Sequence, residues 1–214
     1  MFLDTRIKLI NISLENSIGK NKDIIAGVDE VGKGALAGPV VAAAVIFRKK
    51  NFSWINRVND SKLLSKNDRS ELSKLIKDNC TYGIGAVSNH VIDQVGIEKS
   101  IDLAMQIAID RLFIEPTIII IDGFNRKLNH NGLIKNFIKG DQNYLSIAAA
   151  SIIAKVYRDN ILINLSSHFN SYGFDTNVGY GTFKHMSAIK KYGYTTLHRM
   201  SFMPIKALIR DNYD

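Results

Sequence analysis

The stretch IIAGVDEVGKGALAGPVVAAAVIF, residues Ile24 to Phe47, decides the fold. Two apolar runs, Ile24 to Val28 and Val40 to Phe47, lie either side of the glycine-rich stretch 32–38. The second is rich in Val and Ala and opens directly after Pro39, so it predicts a strand and not a helix. Asp29 and Glu30 follow the first run, where the chain leaves the sheet.

Working outward, Ser65 and Asp68 form a capping arrangement for a helix carrying Leu72, Leu75 and Ile76 on one face. Thr81 to Val87 predicts a further strand containing glycines. Ile97 to Phe113 has the helical stripe Ile101, Met105, Ala108 and Leu112, and it stops before Pro116. Thr117 to Ile121 is then a short, fully apolar strand that delivers Asp122. Ser146 to His168 predicts a long helix, with Ala148, Ile152, Val156 and Ile163 at helical spacing. Strands followed by alternating helices and strands imply an α/β sheet capped by helices. From Ser171 onward the chain is basic and tyrosine-rich, which predicts a small helical lobe. The division is an N-terminal segment 1–22, a sheet domain 23–170 and a lobe 171–214.

Composition narrows the chemistry. Lys and Arg number 28 against 20 Asp and Glu, a formal net charge of +8, which suits a polyanionic partner. A lysine-rich solvated surface is the plainer explanation. The single cysteine, Cys80, excludes an intrachain disulfide and a cysteine-rich zinc site. Any bound metal must draw mainly on carboxylates, which favours magnesium or manganese over zinc. The N-terminus is broken by Asp4, Arg6, Lys8 and Glu15, and no apolar run is long enough to cross a bilayer. A cytoplasmic location is the expectation.

The acids at strand ends sit where α/β folds place ligand sites, although either one alone reads equally as a turn residue. Asp159 differs. Ile152, Val156, Asp159 and Ile163 follow at intervals of four, three and four, placing a carboxylate on an apolar helix face. A buried carboxylate needs a partner. Lys155 or Arg158 is one candidate, and a metal shared with Asp29, Glu30 and Asp122 is the other. Two like charges ~4 Å apart repel by about 4 kcal/mol at an effective dielectric near 20, so a divalent cation is what would gather such acids.

Gly27 to Gly34, GVDEVGKG, nearly matches the phosphate loop GxxxxGK[ST] of nucleotide hydrolases. Gly34 lacks the magnesium-binding hydroxyl, Asp29 and Glu30 would repel a triphosphate, and a strand follows where that loop opens a helix. Gly32, Lys33 and Gly34 are better read as a turn beside the acids, whose backbone approaches a ligand closely. Such groups can read a sugar hydroxyl, the feature that separates RNA from DNA. Ser61 and Lys62, with Lys184, His185 and Arg199 from the lobe, are read as phosphate contacts, against the plainer reading of each as a surface residue or, for His185, a helix cap. No histidine falls in a serine or cysteine nucleophile motif.

Five blocks resemble a known family, ribonuclease HII: Ile24 to Val40, DSKLLS at 60–65, IIIIDG at 118–123, SIAAASIIAKVYRD at 146–159 and GYGT at 179–182. The resemblance implies an RNase H-like mixed sheet flanked by helices, with a small C-terminal helical lobe. It implies endonucleolytic cleavage of RNA in RNA–DNA hybrids, incision at ribonucleotides embedded in duplex DNA, and products with 5′-phosphate and 3′-hydroxyl ends. Mn2+ or Mg2+ would be the cofactor, held by Asp29, Glu30, Asp122 and Asp159. Gly32, Lys33 and Gly34 would contact the RNA–DNA junction, and Tyr180 would pack on the deoxyribose that follows the ribonucleotide. Lys33 stands where the family usually has arginine, a point charge in place of a planar fork. Met200 in HRMSF replaces a second basic residue. The expected partners are hybrid and junction duplexes, with no membrane and a monomeric enzyme. The tail LIRDNYD shows no docking motif for a protein.

Overall fold

The computed structural model describes residue 10, residues 12–20 and residues 22–211; of residues 12, 13 and 209–211 only the backbone is described. The expected N-terminal segment 1–22 therefore falls partly outside the described residues. One five-stranded sheet has the order β3-β2-β1-β4-β5, with β1 Ile25–Val31, β2 Val40–Ile46, β3 Thr81–Val87, β4 Ile118–Asp122 and β5 Leu133–Phe137. β2 is antiparallel to β1 and β3, whereas β4 is parallel to both β1 and β5. The sheet is mixed and flanked by helices, as expected.

Successive β2 side chains point to opposite faces of the sheet, and all are apolar, so the strand can be covered on both sides between β3 and β1. Val41, Ala43 and Val45 face α2 (Lys66–Asn79) and α5 (Leu145–Leu165), while Val40, Ala42 and Ala44 face α4 (Ile97–Asp110). Every residue of the strand is buried, and its small alanines let helices approach both faces. Leu72 of α2 and Ile101 of α4 are fully buried against these faces, so truncating either to alanine would cost about 2–5 kcal/mol. At Gly27 of β1 the start of α5 packs directly on the strand: a Cβ there would lie 2.2 Å from the Ser146 carbonyl carbon. The start of α5 is capped from the N-terminal segment. Buried Glu15, in α1 (Ile12–Asn16), accepts hydrogen bonds from Ser146 N (2.8 Å) and Ser146 Oγ (2.9 Å), and Lys50 Nζ lies 3.1 Å from it.

Several boundaries differ from the expectation. Ser65 caps α2 as read, its hydroxyl accepting from Asp68 N. The first strand is longer than read, so Asp29 and Glu30 lie within β1, opposite Ala43 and Ala42 of β2. The ladder with β4 nevertheless closes at Val28 opposite Ile121, which makes Asp29 and Asp122 the next residues along two parallel neighbours. α4 ends at Asp110, before Phe113, and α5 ends at Leu165 with a 3-10 turn over 166–168. β5 has no strong sequence signal, because it is a half-exposed edge strand without apolar alternation.

The C-terminal helices α6 (Phe174–Asn177), α7 (Phe183–Tyr192) and α8 (Ile205–Asp211) follow α5, and Asn89, at the start of α3 (Asn89–Val95), donates to Thr196 O in the segment between α7 and α8. Phe174, Ile189 and Ile205 share a core with Leu162 of α5 and with Leu36 and Ala37 of the glycine-rich loop. The C-terminal helices and that loop thereby pack together.

Candidate active site

Side chains alternate along β1, so Asp29 faces the α5 side with Gly27, and Glu30 faces the α4 side with Val28. Asp122 ends β4 on the same side as Asp29. The third member of the group is Asp141, in the 3-10 turn Gly140–Gln142 between β5 and α5. One carboxylate oxygen from each of Asp29, Asp122 and Asp141 lies within 4.8 Å of the other two. Gly140 N donates to Asp122 Oδ1 at 2.7 Å, which ties that turn to the end of β4.

The cluster is electrostatically strained. Burial holds the Asp29 carboxyl well above its ordinary range, and the charges of Glu30 and Asp122 add to this while the Ser151 hydroxyl opposes it. Burial also raises Glu30, opposed most strongly by the Arg126 guanidinium. Asp141 is raised by burial and by Asp122 and Asp60, against the pull of Lys62. Hard oxygen donors that repel one another at such distances fit a divalent cation of the magnesium or manganese type.

The structure brings together six of the site residues singled out in the sequence. A cleft of about 390 Å³ is lined by Asp29, Glu30, Asp122, Lys62, Lys155 and Tyr180, among others. A larger hollow, about 540 Å³, lies at the other end of β1 and β2 and, among the described residues, has no comparable group of acids. Lys62 is exposed at the rim, with its Nζ 3.9 Å from Asp141 Oδ2. Ser61 is buried, and its hydroxyl shares a 3.0 Å hydrogen bond with Ser151, itself bonded to Asp29. The Tyr180 ring has Arg158 5.3 Å and Lys155 5.6 Å from its centroid.

Three expected residues are placed differently. Asp159 does not join the cluster: Lys155 Nζ donates to its Oδ1 at 2.9 Å. The charged side chain that α5 buries completely is Arg158, about one turn before Leu162, which packs in the core of the C-terminal helices. His185 and Arg199, expected at phosphates, are fully buried and bonded internally, so neither reaches a ligand at the surface. Lys184 is exposed. Asp141 escaped sequence reading altogether. Its one available signal was an acid in the loop that immediately precedes the long helix.

Residues 26–205 match the family model described as Ribonuclease HII. A curated Ribonuclease HII of Pelagibacter ubique (strain HTCC1062) is 48% identical over 186 residues, covering 87% of this chain and 99% of the relative. The chain belongs to the ribonuclease HII family. Another relative of that name, from Macrococcus caseolyticus (strain JCSC5402), is 45% identical over 190 residues, 89% of this chain and 70% of the relative. Among solved structures, ribonuclease H2 from Pyrococcus horikoshii OT3 superposes with a TM-score of 0.76 at 24% identity, covering 89% of this chain and 99% of that one; this likeness shows the shared fold. Membership makes the protein a metal-dependent endoribonuclease that cleaves the RNA strand of RNA–DNA hybrids, and incision at ribonucleotides in duplex DNA is typical of the family.

Proposed function

We propose that Asp29, Asp122 and Asp141, with Glu30 from the opposite face of β1, hold the divalent cation at which the phosphodiester is hydrolysed. The observation that carries this reading is the convergence of three carboxylates, one oxygen of each within 4.8 Å of the others, where the β1–β4 ladder closes and in the turn before α5. A bound cation would lower the pKa of an attacking water and stabilise the leaving oxygen. The protein's own part is positioning. Gly140 N and Ser151 fix the carboxylates, and exposed Lys62 offers a cation to the backbone phosphate. Asp159 is left out of the ligand set, being paired with Lys155.

Gly34 supports a substrate-facing role for residues 32–34. A Cβ built there meets nothing within 4 Å and its φ is ordinary, so packing within the protein gives no reason for glycine. Close approach of a nucleic-acid backbone supplies one. In this reading Gly32, Lys33 and Gly34 face the RNA–DNA junction, and Tyr180 at the cleft wall packs on the following deoxyribose, where a 2′-hydroxyl would be excluded. Lys184 is an outlying phosphate contact on the lobe 171–214. The enzyme is read as a cytoplasmic monomer acting on hybrid and junction duplexes, which its net charge of +8 suits. The test is a duplex carrying one ribonucleotide, incubated with Mn2+ or Mg2+ and with EDTA. Incision leaving 5′-phosphate and 3′-hydroxyl ends, abolished by EDTA, is expected; cleavage that persists in EDTA would overturn the metal assignment.

A further inference from the structure

Two guanidiniums lie fully buried behind the loop that joins β1 to β2, and among the described residues neither forms an ion pair with an acid. Arg158, on α5, donates from Nε to Pro39 O (2.9 Å), from Nη2 to Ala37 O (2.9 Å) and from Nη1 to Val178 O (2.8 Å). Arg199 donates from Nε to Gly38 O (3.1 Å) and from Nη1 to Lys33 O (3.0 Å), and its backbone N donates to Leu36 O (2.8 Å). Burial, with the charge of Arg158 added, brings the Arg199 guanidinium down to about 9, which leaves it cationic at neutral pH. Burying two such cations side by side is unfavourable unless their donors are used, and every nitrogen of the two guanidiniums donates except Arg199 Nη2, which has no hydrogen-bond partner among the described residues.

The glycines report the same arrangement from the other side. Gly32 has φ +93, and a Cβ there would sit 2.2 Å from Arg158 Nε. The first glycine of the loop is therefore demanded by the arginine behind it, whereas Gly34 faces open space. Carbonyls of Lys33, Ala37, Gly38 and Pro39 are held inward by the two arginines. Among the described residues, none accepts a hydrogen bond from the Lys33 or Gly34 amide.

We propose that Arg158 and Arg199 are positioning residues: they hold the carbonyls of the 33–39 loop inward and so keep the Lys33 and Gly34 amides free and fixed for the nucleic-acid backbone. Arg158 also fixes Val178 O, two residues before Tyr180, so the glycine loop and the tyrosine wall are registered to each other through one side chain. Specificity for the junction then depends on residues that never touch it. The inference rests on the reading of residues 32–34 as substrate-facing.

Arg199→Lys tests this, since lysine keeps the charge and loses the fork that serves two carbonyls. Amide hydrogen exchange of segment 32–36 is measured in the full chain, alongside steady-state kinetics on a single-ribonucleotide duplex and on a long hybrid. Exchange of the hydrogen-bonded Ala35 and Leu36 amides should rise about tenfold, with protection of β2 and α5 retained. KM on the single-ribonucleotide duplex should rise about tenfold with kcat changed far less, and the hybrid should be affected less. Mn2+ affinity should stay at the wild-type value. Wild-type exchange in 32–36, or a uniform rise across the whole protein, overturns the clamp. Raised exchange with unchanged KM overturns instead the substrate-facing reading on which it rests. If Arg199→Lys does not fold, Arg158→Lys releases the Ala37 and Val178 carbonyls and is judged by the same measurements.

Discussion

Lys33 Nζ lies 2.5 Å from Glu98 Oε1 on α4, and the other oxygen of the same carboxylate accepts from Arg126 Nη1 at 2.9 Å. Glu98 therefore links the residue that replaces the family's usual arginine to a guanidinium that faces Glu30. The hydrogen bond from Lys33 holds the Glu98 carboxyl below its usual range, so this contact persists into mildly acidic solution. Both side chains are about half exposed, and pairs of that kind contribute only about 0–1 kcal/mol. A phosphate can thus take Lys33 away from Glu98. Glu98→Gln should tighten duplex binding by up to about fivefold at low salt, an advantage that fades as salt screens the charges. Fluorescence anisotropy with labelled duplex measures this. In the double variant with Lys33→Met, the Glu98→Gln gain should disappear; a gain that survives would show that Glu98 acts through some other cation.

Asp141 and Asp159 stand in contrast. Asp141 shares the cluster with Asp29 and Asp122, while Asp159 is held by Lys155. Asp141→Asn should lower kcat by several kcal/mol of transition-state stabilisation, on the order of a thousandfold, with little loss of Mn2+-free thermal stability. Asp159→Asn should cost less than about tenfold. Single-turnover assays of the two variants decide the matter, and equal losses would return Asp159 to the ligand set.

These two acids also mark how far the sequence could be read. Asp29, Glu30 and Asp122 were legible because apolar strand runs end at or beside them, and strand ends in this fold class converge. Asp141 was not, because β5 is a half-exposed edge strand whose residues carry no period, so nothing announced that the turn after it returns to the end of β4. Asp159 was misplaced for a different reason. Periodicity locates an apolar stripe, but α5 is buried over most of its circumference near the sheet, and its buried charge is Arg158, satisfied by carbonyls from distant segments. Helical spacing cannot show carbonyl acceptors that arrive from elsewhere in the chain.

The raised carboxyls of the cluster make cation binding proton-linked. Asp29, Glu30 and Asp141 are all pushed up by burial first and by neighbouring acids second, except that Arg126 opposes the effect at Glu30. A carboxyl whose folded-state value is raised stabilises the fold below its ordinary range and loses that contribution as pH rises through the raised value. The metal-free protein should therefore lose stability with rising pH in the mildly acidic range, and saturating Mn2+ should remove that loss. Mn2+ binding should release protons, so its apparent enthalpy near pH 6 should change with the ionisation enthalpy of the buffer. A buffer-independent enthalpy would mean that the carboxyls are already ionised without metal.

His185 and His198 impose the opposite dependence. Thr195 N donates to His198 Nδ1 at 2.8 Å, so the His198 proton sits on Nε2 and is donated to His185 Nε2 at 3.1 Å. His185 must then carry its proton on Nδ1, which donates to Tyr180 O at 2.9 Å. The chain of bonds requires both rings to be neutral, and both are fully buried among Tyr172 and Phe174. Burial, and then the neighbouring His185, pulls His198 down to about 4; burial lowers His185 as well. Unfolded histidine takes up its proton near pH 6.5, so the stabilisation is complete above that value and is lost as pH falls toward about 4. His198→Gln removes one titrating group while keeping an acceptor for Thr195 N and a donor for His185. Thermal melts from pH 7 to pH 4 should show a shallower acid limb in the variant than in the wild type. Parallel limbs would place the acid sensitivity outside this pair.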